Sequence, residues 1–274
     1  MKRDAGVPQL GELDHLSALI SPCKRTHCVS FEACVKSPPA SVWSLSRGRR
    51  ILDISVALVV LIVSAVPMLM IAAAVRLTSK GNAIFAQERV GLFGGLFRIY
   101  KFRSMADNPR KHKGSGLTKD GDMRVTPLGR LLRKFKLDEL PQFYNVLRGD
   151  MSLIGPRPKL PQYAGMGSMP YRPGISGVAT IVFRREEEIL RHIDAEKLDS
   201  FYAEQIKPVK AHLDACYMCN ATPSSDMRMV TATFLSCVMP ERVPVVEPHH
   251  ISGFVHPSLI MTGNIAQKES PAVQ

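Results

Sequence analysis

Two adjacent carboxylates, Asp138 and Glu139, lie near the centre of the stretch Leu128–Pro158, directly after the cations Arg130, Arg133, Lys134 and Lys136. Carboxylates set among cations suit phosphate chemistry. An ionised aspartate is the nucleophile at phosphorus in enzymes that form an aspartyl-phosphate. A carboxylate pair beside phosphates is also a usual seat for magnesium, which takes only one or two protein ligands there. The plain alternative is that Asp and Glu at a helix start simply answer the helix dipole, whose positive end is also a natural seat for phosphate. Leu137, Leu140, Tyr144 and Leu147 recur at three- and four-residue spacing, so the pair is predicted to open an amphipathic helix. Pro141 fits near its start and Gly149 its stop.

A chain of 274 residues supports one good-sized core, or one domain with tails. Its net charge of +12 and pI near 9.6 call for an anionic partner: nucleic acid, anionic lipid or phosphorylated small molecules. No nucleic-acid-binding signature accompanies the charge, which argues against the first. From Arg98 to Lys136 there are twelve Lys and Arg against three Asp, so the positive field is focused just upstream of the acidic pair. Such a field suits both a diphosphate and an anionic membrane surface.

The elements that must position the pair begin with Ile54–Val75, 22 residues without a charge. As a straight helix it spans about 33 Å, enough for a hydrocarbon core of about 30 Å. Pro67 lies well inside it and should kink it. Arg47, Arg49 and Arg50 precede the run and Arg76 and Lys80 follow it, so charge gives no clean crossing polarity. A helix that dips in, bends near Ser64 and Pro67 and returns would put both basic flanks on one face.

Two apolar-alternating runs, Ala83–Gly91 and Phe97–Met105, flank Gly94-Gly95 and read as a β-hairpin. Lys101 and Arg103 alternate with aromatics and so share one strand face, which could line an anionic site, lie on headgroups or simply be solvated. Asp107–Asp122 is a polar loop and a candidate lid. Asp199–Val238 reads as helices, the last capped by Ser224, Ser225 or Asp226. Residues 1–45 read as a flexible extension without a signal peptide, and residues 241–274, with His249-His250, as a loose tail to which no role is assigned. Cys216-x-x-Cys219 has no second pair at zinc spacing; with Cys23, Cys28, Cys34 and Cys237 it reads as reduced thiols.

Leu137-Asp138-Glu139-Leu140-Pro141-Gln142, followed by Asn145-Val146-Leu147-Arg148-Gly149-Asp150-Met151-Ser152-Leu153-Ile154-Gly155-Pro156-Arg157-Pro158, closely resembles the signature of the bacterial sugar transferase family. These are monotopic polyprenyl-phosphate phosphoglycosyl transferases. Tyr100–Met105, Arg50-x-x-Asp53 and Arg172-Pro173-Gly174-Ile175-Ser176-Gly177 resemble further family motifs, and the likeness runs from about Arg49 to Val238. The resemblance implies an α+β fold. A re-entrant helix-break-helix over residues 46–80, broken at Ser64 and Pro67, would precede a mainly helical cytoplasmic domain over 81–240 with a small β-hairpin. It implies transfer of a phospho-sugar from a nucleotide sugar, usually a UDP-sugar, to polyprenyl phosphate at the cytoplasmic leaflet of the bacterial inner membrane, initiating exopolysaccharide or another surface glycan.

By match of position, Asp138 is the nucleophile and Glu139 helps it hold Mg2+, while Arg133, Arg157 and Lys101 bind substrate phosphate. Arg157, fixed between two prolines, has a rigid backbone suited to a bidentate clamp. The absence of a four-helix membrane region before residue 46 resembles the small form of the family. Three departures stand out. Val66 replaces the serine before the membrane proline, and Lys136 replaces a hydroxyl residue two before the aspartate, removing a cap. Val178–Glu188, with its Arg-x-Glu-Glu run followed by Tyr202 and Pro208-x-Lys210, resembles a variant branch, so no sugar contacts carry over from this segment. A catalytically degenerate, membrane-anchored scaffold is the competing class, and self-association into an oligomer is left open.

Overall fold

The computed structural model describes residues 40–106, 122–161 and 169–239, apart from residues 192 and 195. Most of the expected extension, the candidate lid and the expected tail, with Cys23, Cys28, Cys34 and His249-His250, lie outside the described residues.

The apolar run folds as α1, Arg47–Thr78, a helix of 32 residues and about 48 Å. Ser46 caps it by accepting a bond from the Arg49 amide at 3.1 Å. The helix is continuous through Pro67, so the expected break at Ser64 and Pro67 is not a gap in the helix. Ser64 instead returns its hydroxyl to the Val60 carbonyl at 2.6 Å within the same turn.

Two separate parts of one side of α1 rest on the rest of the protein. Its first half joins the main core through Val56 and Ala57, which cluster with Val146, Leu153 and Ile154. Its second half joins a smaller cluster, in which Met68, Ile71, Ala72 and Val75 meet Phe102, Leu132, Leu137 and Leu140. The opposite side exposes Ile51, Leu58, Ile62, Val63, Val66, Leu69 and Leu77. An apolar stripe of this length marks an interaction surface rather than a face made for water.

The start of α1 is tied down by buried charge. Arg49 Nε pairs with Asp226 Oδ2 at 2.8 Å, and each side chain is about 5% exposed or less. Asp226 also accepts from Tyr217 Oη at 2.6 Å and Trp43 Nε1 at 2.8 Å. One turn on, Asp53 accepts from Ser152 Oγ at 2.8 Å and the Leu153 amide at 3.0 Å, and Arg50 donates to the Leu147 carbonyl at 3.0 Å. The Arg-x-x-Asp motif is therefore a clamp on the segment that runs from the carboxylate pair to Arg157.

The hairpin forms as predicted, with β1 (Ile84–Val90) antiparallel to β2 (Leu96–Phe102) and Phe85 opposite Lys101. Arg103 lies just past the end of β2, where its amide still donates to the Ala83 carbonyl at 2.9 Å, and its guanidinium donates to the carbonyls of Ser79, Lys80 and Gly81, closing the end of α1. Helix α2, Pro127–Lys134, approaches the backbone just after β2 so closely that a Cβ on Gly129 would lie 1.9 Å from the Ser104 carbonyl oxygen.

A single 3₁₀ turn, Leu137–Glu139, leads into α3, Gln142–Arg148. Pro141 occupies the cap position rather than the helix interior, and Gly149 ends α3 with φ of +94°. A parallel pair of three-residue strands, β3 (Ser152–Ile154) and β4 (Gly174–Ser176), follows; strands this short carry no periodicity of their own for a sequence pattern to show. The remainder is helical: α4 (Val178–Val182), α5 (Glu186–Arg191), α6 (Leu198–Phe201), a π turn (Tyr202–Ile206), α7 (Lys207–Asn220) and α8 (Pro223–Val238). Thr222, not the residues after it, caps α8, because its hydroxyl and that of Ser225 satisfy each other's amides; Asp226 is spent on Arg49. The fold is thus α+β and mostly helical, with one long apolar helix among the described residues, and Cys216, Cys219 and Cys237 carry reduced thiols.

Removing one partner of a buried ion pair leaves the other charge uncompensated. Asp226→Ala should cost about 3–5 kcal/mol. Denaturant unfolding of the detergent-solubilised protein will show this as a large drop in midpoint, whereas Glu204→Ala, at an exposed position on the π turn, should leave it unchanged.

Candidate active site

Asp138 and Glu139 sit on the 3₁₀ turn before α3, not in the first turn of a long helix. The dipole expected to stabilise them is therefore slight, since it grows with aligned peptide units. What surrounds them is side-chain charge. Lys136, just before the turn, has φ of +56° and makes no side-chain cap, as its type requires. That kink ends the line of α2, so Arg133 is not on a shared helix with Asp138.

Both carboxylates are buried, at 6% and 7% exposed. Glu139 Oε1 accepts from Arg157 at 2.7 Å and from Lys101 Nζ at 2.9 Å. Lys101 arrives from β2 and Arg157 from the Pro156–Pro158 segment after β3, so one oxygen gathers two parts of the chain distant in sequence. Burial alone would raise the pKa of Glu139, but Arg157, Lys101 and Lys136 outweigh it and hold the carboxyl well below its usual range. Arg157 is held in its charged form in turn, chiefly by Glu139. Lys101 is pulled down by burial, against the support of Glu139.

Asp138 is the opposite case. Its Oδ1 is buried with no hydrogen-bond partner. Burial and the neighbouring Glu139 charge push its pKa up, with Lys101, Lys136 and Arg133 opposing. Two adjacent carboxylates are thus split by their surroundings into a fixed anion and an unsatisfied one, the pattern by which enzymes divide roles between like groups. An under-solvated carboxylate oxygen is a better nucleophile or metal ligand than one already sheathed in donors.

Arg133 meets Glu187 of α5 in a direct ion pair. Lys210 of α7 holds both oxygens of Glu186 at 2.9 and 3.0 Å, with the rings of Phe183 and Tyr202 about it. Burial lowers the pKa of Lys210, and Glu186 and Tyr202 more than reverse this. The structure thus brings Lys101, Arg157, Asp138 and Glu139 together directly, while Arg133 reaches them only through its field. The Arg-x-Glu-Glu run, which in the sequence is no more than a departure from the family pattern, supplies the carboxylates that bind the surrounding cations. Asn145, wholly buried, has no signal in the sequence beyond its place in the motif; its amide accepts from the Tyr100 amide at 3.1 Å and donates to the Arg98 carbonyl at 2.7 Å, fixing β2 against α3.

No cluster of three or more His, Cys, Asp or Glu that could hold a metal occurs among the described residues. The free Asp138 oxygen and the adjacent Glu139 still fit a divalent ion that draws its other ligands from substrate phosphates, as magnesium commonly does.

A model of the bacterial sugar transferase family matches residues 45–240. The chain is 46% identical over 143 residues to a UDP-N-acetylgalactosamine-undecaprenyl-phosphate N-acetylgalactosaminephosphotransferase of Aeromonas hydrophila, covering 49% of this chain and 34% of that protein. It is 44% identical over 142 residues to a UDP-glucose:undecaprenyl-phosphate glucose-1-phosphate transferase of Klebsiella pneumoniae, covering 48% and 30%. A protein of Caulobacter vibrioides with the same activity in its name is 33% identical over 222 residues, covering 65% of this chain and 81% of its own length. The chain thus spans about a third of the Aeromonas and Klebsiella relatives and most of the Caulobacter one.

A raised Asp pKa means the folded state prefers that group protonated. The penalty grows as pH rises from the ordinary aspartate value and is complete above the folded one. Asp138→Asn should therefore unfold at a temperature no lower than wild type at neutral pH, despite losing a site residue. Thermal unfolding in detergent will measure this, and the gap should narrow as pH falls and close at the ordinary aspartate value.

Proposed function

Because the chain belongs to the bacterial sugar transferase family, we propose that it transfers a phospho-sugar from a UDP-sugar to polyprenyl (undecaprenyl) phosphate, initiating a surface glycan. The observation that carries the reading is the contrast within the carboxylate pair: Glu139 has one oxygen held by both Lys101 and Arg157, while Asp138 has a buried oxygen unspent. A degenerate scaffold would have no need to keep an isolated acid in this state, which costs stability.

Asp138 attacks the sugar-bearing phosphorus, an oxygen–phosphorus bond forms as the bond to the departing UMP oxygen breaks, and the sugar phosphate is left on the carboxylate. A phosphate oxygen of the lipid then attacks the same phosphorus and the aspartate leaves, giving polyprenyl diphospho-sugar. Splitting the transfer lets a soluble and a membrane-bound substrate react in turn. Arg157 orients the diphosphate and stabilises charge developing on it, and Lys101 fixes Glu139 beside the reacting carboxylate. Arg133, once exchanged from Glu187, adds a further phosphate contact. Magnesium held by Asp138 and Glu139 would neutralise diphosphate charge and help the UMP oxygen depart.

The membrane reading follows from α1. Both halves of the helix pack on one domain while the other side is an apolar stripe, and a straight crossing would place the two ends on opposite faces of the bilayer. A re-entrant or shallow insertion bent at Pro67, with domain and basic flanks on the cytoplasmic side of the inner membrane, meets both demands.

Release of UMP from a panel of UDP-sugars with polyprenyl phosphate and magnesium tests the activity. Wild type should release UMP from one or a few sugars, and Asp138→Asn should lose at least about a thousandfold, the scale of losing a covalent nucleophile. Equal rates in the two proteins would remove Asp138 from the chemistry. For topology, Arg47→Cys and Lys80→Cys in a background lacking the native cysteines should both react with an impermeant thiol reagent from the cytoplasmic face; labelling from opposite faces would establish a crossing helix.

A further inference from the structure

The register of the hairpin puts a second guanidinium on the face that carries Lys101. Residues directly opposite in an antiparallel pair share a face, and Phe85 opposes Lys101, Gln87 opposes Ile99 and Arg89 opposes Phe97. Arg89 and Lys101 therefore point the same way, with the buried Ile99 between their rungs, and their backbones stand about 13 Å apart along the strands. Arg157 lies between them. Arg89 Nη1 donates to the carbonyl of Pro158, the residue after Arg157, at 3.2 Å, and Nη2 donates to Gln87 Oε1 at 2.7 Å.

Its Nε is buried without a partner, and among the described residues no carboxylate pairs with it. Burial, with the nearby Arg157 charge, pulls its pKa down to about 10. Four other cations about the site have an acid: Lys101 and Arg157 share Glu139, Arg133 has Glu187, and Lys210 has Glu186. A half-buried guanidinium held only by neutral oxygens beside a second guanidinium is an uncompensated positive charge, and such an arrangement is stabilised when an anion arrives.

We propose that Arg89 is a substrate-binding residue that takes a phosphate oxygen of the reactants, extending the anion site from Lys101 and Arg157 along the inner face of the hairpin. This rests on the transferase reading above and adds to it a residue outside the motifs that carry the family likeness. A phosphate so bound comes either from the nucleotide end of the donor or from the polyprenyl phosphate acceptor, and the two are separable kinetically.

The test uses the full chain in detergent with the UDP-sugar that wild type turns over, so a wild type with no activity on any donor strikes the transferase reading and not this one. Arg89→Gln should raise one KM about tenfold, the value of one charge-assisted hydrogen bond, with kcat little changed. A rise in KM for the UDP-sugar, matched by weaker inhibition by UMP, assigns the donor; a rise in KM for polyprenyl phosphate alone assigns the acceptor. Arg89→Lys, which keeps the charge and is the fallback should Gln unfold the hairpin, should lose less than Gln and in the same KM. Unchanged KM values for both substrates, or a loss confined to kcat as expected if Arg89 merely steadies the Arg157 loop, would overturn the proposal.

Discussion

The site depends on one oxygen. Glu139 Oε1 is the point at which Lys101, from the hairpin, and Arg157, from the loop after β3, converge on the turn that carries Asp138. A buried carboxylate is tolerated only with such compensation, and two cations on one oxygen more than supply it. The surplus charge has a direction: it leaves the neighbouring Asp138 near a strong positive field yet without a donor of its own on Oδ1. An acid set within a positive field but not bonded by it is the group to which the proposed attack on phosphorus is assigned.

Much of the remaining architecture reads as support for that convergence. Asn145 fixes β2 to α3, so that Lys101 reaches the turn. Asp53, Arg50 and Arg49 clamp Leu147, Ser152, Leu153 and Ile154, the run connecting α3 to the Pro156–Pro158 loop. The clamp belongs to the apolar helix itself. A residue that would be costly in lipid, Arg49, is acceptable because it is paired with Asp226 and turned into the protein. The apolar helix and the carboxylate pair are therefore parts of one framework, which suits the proposed reaction, with one substrate in water and one in the bilayer.

The hairpin, the apolar helix, the α+β class and the family were legible in the sequence because each rests on local periodicity or a long contiguous motif. Glu139, Arg157 and Lys101 were also reachable, by match of position. Four features were not. The 3₁₀ turn replaced an expected helix start because Lys136 adopts a left-handed backbone, and nothing in the residue type announces that. The strands Ser152–Ile154 and Gly174–Ser176 are too short to show alternation. Arg103 follows the alternation on paper but lies past the end of the strand, where the carbonyls closing α1 capture it. The pairing of Arg133 with Glu187 joins positions 54 residues apart, which no local rule brings together.

In the proposed reaction Asp138 forms a bond to phosphorus before the lipid takes part. The most direct measurement is intact-protein and peptide mass spectrometry after brief incubation with the productive UDP-sugar and magnesium, without polyprenyl phosphate. The expected result is a mass increase of one sugar phosphate on the peptide containing Asp138, lost when polyprenyl phosphate is added and absent in Asp138→Asn. An unmodified protein that releases UMP only when both substrates are present would contradict it, since the lipid phosphate would then attack the donor directly.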